Sequence, residues 1–519
     1  MDASAPVPIP PARPRRRSFL RIAGVSSAAL LSGVGAPGTA EAGYTGERVP
    51  GDYPFRLGVA SGDPAEDGFV LWTRLAPEPL AADGHGGMPP APFDVRWEVA
   101  EDEGFRRVVR RGSARATPEL AHAVHPRVRG LRPGRPYFYR FAAGDHISPA
   151  GRVRTTAARG TTPGAFTFAT ASCQAWYQGW FGAYRHLVAD DPEMVFFLGD
   201  YIYEYAITAD RLWRRGADPG AGHDRETVTL EEYRVRYSLF KSDPDLQAAH
   251  AATAFVVTPD DHEVQNNYGA DTSRYGTPPE DFALRRAVAY RALYENTPLP
   301  EAALPAGGPD ARLHRRLTVG DLASFHVLDT RQYRDPGAPG GDILGPDQER
   351  WLLDGLRRSG ARWNLLAQQV AVMRVGDDRV DQWDGFPAAR QRLLDTFADP
   401  AVANPVVLTG DTHRAIAGEL RADFADPDSP VVGTELVTSS IASDGDGAET
   451  DEQAAEWTRH PWVRFYHARR GYTLCRLTPD GLTADYRSVP YVEADAGAPV
   501  STVARFVTEA GRPGPERVG

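Results

Sequence analysis

Lysine is almost missing from this 519-residue chain: Lys241 stands alone, and the remaining basic residues are arginine. A biased codon supply explains such a pattern without any function. Basic surface is short as well. Asp and Glu number 69 against 58 Lys and Arg, a formal charge of −11, which argues against a nucleic-acid binder, whose affinity comes largely from positive charge. No apolar stretch is long enough to make a stable membrane span. A Gly-x-Ser-x-Gly elbow is lacking, so no serine nucleophile of that type is marked. Cysteine is limited to Cys173 and Cys475. What remains is ordinary for a soluble enzyme of two or three domains, with 42% hydrophobic and 24% charged residues.

The N-terminus carries an address. Arg16-Arg17-Ser18-Phe19-Leu20 precedes a modest Gly/Ser-rich apolar stretch and then Ala40-Glu41-Ala42, a small-residue cleavage site. That order reads as a twin-arginine signal over 1–42, and implies passage through the twin-arginine export machinery to the cell exterior or wall. No transmembrane segment is expected after cleavage. From 50 to 156, short alternating segments ("GFVLWTRL", "FDVRWEVA", "AHAVHPRV", "YFYRFAAG") are separated by turns, the grammar of a fibronectin-III-like β-sandwich. Trp72, Trp97 and Tyr139 read as its core aromatics. Over 165–490 the grammar becomes strand, loop, helix, with helices expected in "GWFGAYRHLVAD" and "GPDQERWLLDGLRRSG". Residues 491–519, rich in Ala, Gly and Pro at their start, read as a loosely packed C-terminal extension.

Chemistry concentrates where apolar runs stop. "FTFATASCQ" ends at Cys173, and "MVFFLGDYIY" ends at Asp200 and Tyr203. "AFVVTPDDHEVQNNY" ends at Asp260, Asp261, His262 and Glu263, with Asn266 and Asn267 beyond, and "PVVLTGDTH" ends at Asp411 and His413. Buried carboxylates are costly unless paired or bound to metal, and ligands of open α/β sheets bind outside the carboxyl ends of strands. Each motif alone arises easily by chance. Four strands delivering such residues in this order describe one site for more than one metal ion.

These motifs resemble the calcineurin-like metallophosphoesterases, and closely their PhoD-type alkaline phosphatase branch. Cys173 stands where the general superfamily has its first Asp, Asp261 where it has Asn, and Asp411 where it has the first His of the last motif. "FRLGVASGDP", "LDTRQYRD", "DQWDGFPAAR" and "RRGYTLCRLT" extend the resemblance over nearly the whole mature chain. Pro259, where a Trp usually precedes the Asp pair, and Trp462, where His is frequent, depart from it. The resemblance implies an α/β fold: a four-layer αββα metallophosphoesterase sandwich preceded by the β-sandwich domain.

Thiolate and phenolate ligands favour Fe(III), whereas Asp, Asn and carbonyl oxygens suit Ca(II). Only His262 and His413 of thirteen His fall in the constellation, which supplies a dizinc site poorly. The resemblance implies the same iron and calcium pair. Asp200 is assigned as the bridging carboxylate, with Cys173 and Tyr203 on the iron side. Asp261, Asn267, Asp411 and His413 supply most of the calcium side, the division of the last two being open. Asn267 is preferred to Asn266 by motif resemblance alone. Cys173 has a rival reading as a disulfide partner of Cys475. His262 either protonates the leaving alkoxide or holds phosphate, or else only supports its neighbours.

Arg331 and Tyr333 read either as substrate-facing or as surface residues, and Trp383 and Asp384 either as entrance or as packing. The expected activity is hydrolysis of phosphomonoesters, and of phosphodiesters, by metal-generated hydroxide. A diesterase for wall teichoic acid or phospholipid headgroups is the nearest rival, and a non-catalytic wall-associated module is a more distant one. The partners implied are a phosphate-ester substrate and a cell-wall polymer held by the N-terminal domain, unless that domain only stabilises.

Overall fold

Runs such as Met194–Leu198, buried along their whole length, have no polar face to offer water and must be covered on both sides. The computed structural model covers them with a second sheet on one side and helices on the other. It describes residues 49, 51–305, 308, 310–335, 341–376, 379–426 and 428–519. The segment read as a twin-arginine signal lies outside these residues.

One seven-stranded sheet runs in the order Ala254–Thr258, Met194–Leu198, Phe166–Ala171, Gly471–Leu477, Gly481–Ser488, Ser501–Glu509, Arg512–Arg517. Its first three strands are parallel neighbours. An eight-stranded sheet begins Arg315–Val319, Ala323–Val327, Trp363–Ala367, Pro405–Thr409, Val431–Val437, again with a parallel centre. Side chains alternate across each strand. Phe168, Phe196, Phe325, Leu365 and Val406 therefore meet between the sheets, with Phe196 stacked on Phe325 at 4.5 Å between centroids.

The alternate residues Val195, Phe197 and Phe255 face helices that include Leu230–Lys241 and Pro279–Asn296. Leu366 and Val407 face Gly345–Arg357 and Pro387–Phe397. Thr229 and Glu232 close a capping box on the first of these helices. The result is the expected four-layer αββα sandwich.

A four-stranded and a five-stranded antiparallel sheet precede it, packed around Phe69, Val95, Tyr139 and Phe141. Tyr139 lies in that core and Trp97 packs against it, whereas Trp72 differs from that reading. Trp97 is half-buried and covers Gly112, where a Cβ would come within 2.5 Å of its ring. Trp72 is buried, but in the seam with the larger domain. Its Nε1 donates to the Glu295 carbonyl at 3.1 Å, and the Lys241 ammonium lies 4.0 Å from its ring centroid.

The tail is not loosely packed either. Ser501–Glu509 pairs with Gly481–Ser488 and sends Ala504 and Phe506 into the inter-sheet core. Its alternation is masked in sequence by Arg505 and by Thr on the inward face. No helix among the described residues is long and apolar enough to cross a membrane.

A chain ending at residue 490 is expected to be strongly destabilised. Loss of Phe506 alone costs about 3–5 kcal/mol, and the edge of Gly481–Ser488 is bared. Thermal unfolding checks this: an unchanged Tm would contradict the assignment of the tail to the core.

Candidate metal centre

The parallel register places the ends of Phe166–Ala171, Met194–Leu198 and Ala254–Thr258 side by side, and Pro405–Thr409 brings its own end to them from the facing sheet. Two glycines permit this convergence. A Cβ on Gly199, at φ +101°, would lie 2.3 Å from Asp260 Cβ, and one on Gly410 would lie 2.8 Å from the Leu198 carbonyl oxygen. Chain turning here is so sharp that Cys173, Asp200, Asn267, Asp411 and His413 all adopt left-handed backbone, with φ between 51° and 59°. That region is unfavourable for residues with a Cβ, and strain of this kind gathers at functional sites.

Glu263 ties the loops together. Wholly buried, its carboxylate accepts the backbone N–H groups of Tyr201 (2.6 Å), Asp260 (2.9 Å) and Asp200 (3.2 Å). Burial and the neighbouring Asp200 charge push its pKa up to about 8. The Cys173 N–H donates to the Gly199 carbonyl at 3.0 Å, which fixes the first loop to the second.

Two groups of potential ligands result, and Asp200 belongs to both. Cys173 Sγ, an Asp200 oxygen and a His413 ring nitrogen lie within 4.8 Å of one another, as do ligand atoms of Asp200, Asp261 and His262. Tyr203 joins the first group: its hydroxyl donates to Asp200 Oδ2 at 2.9 Å, lies 3.0 Å from His413 Nε2, and accepts from Ser443 at 2.7 Å. His413 therefore stands with Cys173 and Tyr203, a grouping that the sequence left open. Asp444, 2.9 Å from His413 Nδ1, orients that ring.

In the second group the Asn267 N–H donates to Asp261 Oδ2 at 2.6 Å, and the amide side chain lies between Asp261 and Arg274. Asn266 instead gives its N–H to Glu204. Asp411 lies on the same flank, 3.9 Å from Arg331 Nη2, as does Asp261.

The electrostatics fit cations. Asp200 Oδ1 and Asp260 Oδ2 are buried without hydrogen-bond partners, an expensive arrangement for carboxylates unless an ion is their partner. Burial and the crowd of acids push Cys173, Tyr203 and Asp260 well up, and Asp411 up to about 7. A bound cation reverses that tendency. Burial opposes the charged form of His262, but Asp261, Glu204 and Asp200 outweigh it and hold the ring protonated well above its usual range.

Cys173 and Cys475 are free thiols. Cys475 packs between the sheets, so no disulfide takes Cys173 from the site. Arg331 is neither solvated nor turned to a substrate: fully buried, it binds Asp260 through Nε at 2.5 Å and Asp381 through both terminal nitrogens. Tyr333 reaches the Ala311 carbonyl instead. Trp383 is packed in the core and Asp384 accepts the N–H groups of Val375 and Gly376, so the packing reading holds for both. Trp462 stacks on His460 and donates to the Arg374 carbonyl.

Sequence reasoning missed Glu204, which binds His262 Nδ1 at 2.7 Å, although a charge between Tyr203 and Tyr205 was a signal. It also missed Asp381, although this residue opens the quoted segment "DQWDGFPAAR", and Asp444, for which no local signal existed.

A family model described as PhoD-like phosphatase matches residues 168–486. The chain belongs to the PhoD-like phosphatase family. A second model, for the N-terminal domain of PhoD-like phosphatases, matches residues 38–157 of this phosphatase. Alkaline phosphatase D of Bacillus subtilis (strain 168) is 44% identical over 491 residues, covering 90% of this chain and 82% of the relative. A solved structure described as "Structure of PhoD" superposes with a TM-score of 0.84 at 43% identity, covering 90% of this chain and 92% of that one.

Glu263→Ala leaves three buried N–H groups of this phosphatase without an acceptor. Each costs about 1–3 kcal/mol, so the urea midpoint should fall by an amount equivalent to roughly 3 kcal/mol or more. A midpoint within error of the parent would contradict the clamp.

Proposed function

We propose that this phosphatase hydrolyses phosphomonoesters, and phosphodiesters as well, at a site loaded with Fe(III) and Ca(II). The observation that carries this reading is the pair of ligand groups sharing Asp200, one of whose oxygens is buried and unpartnered. Cys173, Tyr203 and His413 would hold the ferric position with Asp200. Asp261, Asn267 and Asp411 would hold the hard calcium position with the same Asp200. Such cations would supply an acidified water as nucleophile and positive charge for the phosphate oxygens.

The chain's own residues do the rest. Asp200, which belongs to both ligand groups, would set the spacing of the two positions. Asp444 fixes the His413 ring so that Nε2 points to the first group. Glu204 holds His262 by Nδ1, which orients the ring to donate a proton to the departing alkoxide or to hold a phosphate oxygen. Arg331, bound on both sides, offsets part of the carboxylate charge and keeps the Asp260–Asp261 turn in place. The Arg-Arg signal pattern supports export through the twin-arginine route, and an extracellular ester of phosphate as substrate. A role for the N-terminal β-sandwich in holding a wall polymer is compatible with its position in the chain.

Elemental analysis of protein exported by its own pathway should find about one iron and at least one calcium per chain, with a visible charge-transfer band. Cys173→Ser should shift or bleach that band. Zinc or manganese alone, without colour, would discard the iron assignment. Asp200→Ala should abolish turnover of both mono- and diesters and lower metal content; retained activity would sink the catalytic reading. His262→Ala should reduce kcat about 10²–10⁴-fold while metal content stays at the parent level. A parallel loss of metal would instead make His262 a support for the ligands.

A further inference from the structure

Exposed aromatic side chains of large area are uncommon on this protein, yet two of them stand on loops that carry or border the metal centre: Tyr275, 53% exposed, and Trp213, 40% exposed. The Tyr275 loop follows Asn267 directly, and Arg274 beside it contacts the Asn267 amide. Ser273 pins that loop by donating to Gln265 at 2.6 Å and accepting the Tyr275 N–H at 3.1 Å.

Half-buried Tyr205 links the loop to the centre. Its ring meets His262 edge-on at 5.1 Å, and its hydroxyl is hydrogen-bonded with the side chain of Tyr275. Arg211 stacks over the other side of Tyr205 at 4.8 Å. Trp213 stands on the Asp444 flank of the centre. Its backbone N–H donates to the carbonyl of Tyr177, whose ring centroid lies 6.4 Å from that of Tyr203, and its own ring lies 3.1 Å from where a Cβ on Gly445, next to Asp444, would be.

We propose that Tyr205, Tyr275 and Trp213, with Arg211 and Arg274, form a leaving-group subsite for phosphate esters whose alcohol carries a planar ring, a nucleoside above all. The proposal rests on the hydrolytic reading of the centre. Its geometry follows from His262: a group that serves the leaving oxygen has the leaving alcohol beside it, and the rings beside His262 are the ligand candidate Tyr203, at 4.2 Å between centroids, and Tyr205, at 5.1 Å, which leads on to Tyr275. Aromatic faces and guanidinium planes stack with bases irrespective of their sequence identity. The two arginines separate this rim from an aromatic cage for quaternary ammonium groups, because they repel a cationic headgroup such as choline. A small aliphatic alcohol such as glycerol has no face to stack.

The test uses the metal-loaded enzyme with adenosine 5′-monophosphate, glycerol 2-phosphate and phosphocholine. The ratio of kcat/KM for the nucleotide over glycerol 2-phosphate should fall about tenfold in Tyr275→Ala and be kept in Tyr275→Phe. An unchanged ratio, or a preference for phosphocholine in the parent enzyme, overturns the proposal. Binding of adenosine, which carries no phosphate, reads the rim apart from the reaction. Tyr275-dependent binding of adenosine by a protein that hydrolyses none of the three esters would keep the subsite and discard the hydrolytic reading. Turnover with a ratio insensitive to Tyr275 and no adenosine binding would do the reverse.

Discussion

Asp200 is a carboxylate placed where its charge cannot be satisfied by protein alone. One oxygen is engaged by Tyr203, while the other is buried without a partner. Around it stand Asp260, Asp261, Asp411 and Glu263, all in low-dielectric surroundings where like charges repel strongly. A protein does not gather such groups for stability. The geometry that holds them, including two facing sheets, glycines at the crossing points and left-handed turns at five candidate ligand positions, is explained if cations complete the set.

Rigidity around this centre comes from buried side chains that clamp backbone and carboxylates in place. Glu263 reads three N–H groups from two different loops, so any drift of one loop relative to the other leaves a buried donor unpaired. Arg331 adds a charged brace between Asp260 and Asp381, and Arg334 binds the same Asp381. These are positioning devices: they keep Asp200, Asp261 and Asp411 within reach of common ions without being ligands themselves.

The N-terminal β-sandwich is joined to the larger domain by specific, buried chemistry. Arg315 forms a bidentate pair with Asp63 at 2.6 and 2.9 Å. Trp72 bonds the end of the Pro279–Asn296 helix, and the chain's single lysine lies over that indole. Lys241 also lies 3.3 Å from the hydroxyl of Tyr201, the residue after Asp200. Burial pulls the pKa of this ammonium down to about 7. The seam thus reaches to within one residue of the metal centre, and the small domain is part of the support for the Asp200 loop.

Much of this was legible before any coordinates. Apolar runs buried on both faces read as parallel strands, and their endings at Cys173, Asp200, Asp261 and His413 marked one edge of the sheets. Both facts depend on local pattern, so the sequence by itself marked the strands and the loops that carry the candidate ligands, while the four-layer architecture was what the family resemblance implied. The C-terminal strands escaped because Arg and Thr interrupt their alternation. The partners of His413 and Arg331, namely Asp444 and Asp381, lie 31 and 50 residues from them in the chain. No local spacing announces a pairing across such distances. Which group His413 joins, which way Asn266 and Asn267 turn, and whether Arg331 faces solvent were decided only by tertiary structure, because each depends on which loops the two sheets bring together and on how much water is left between them.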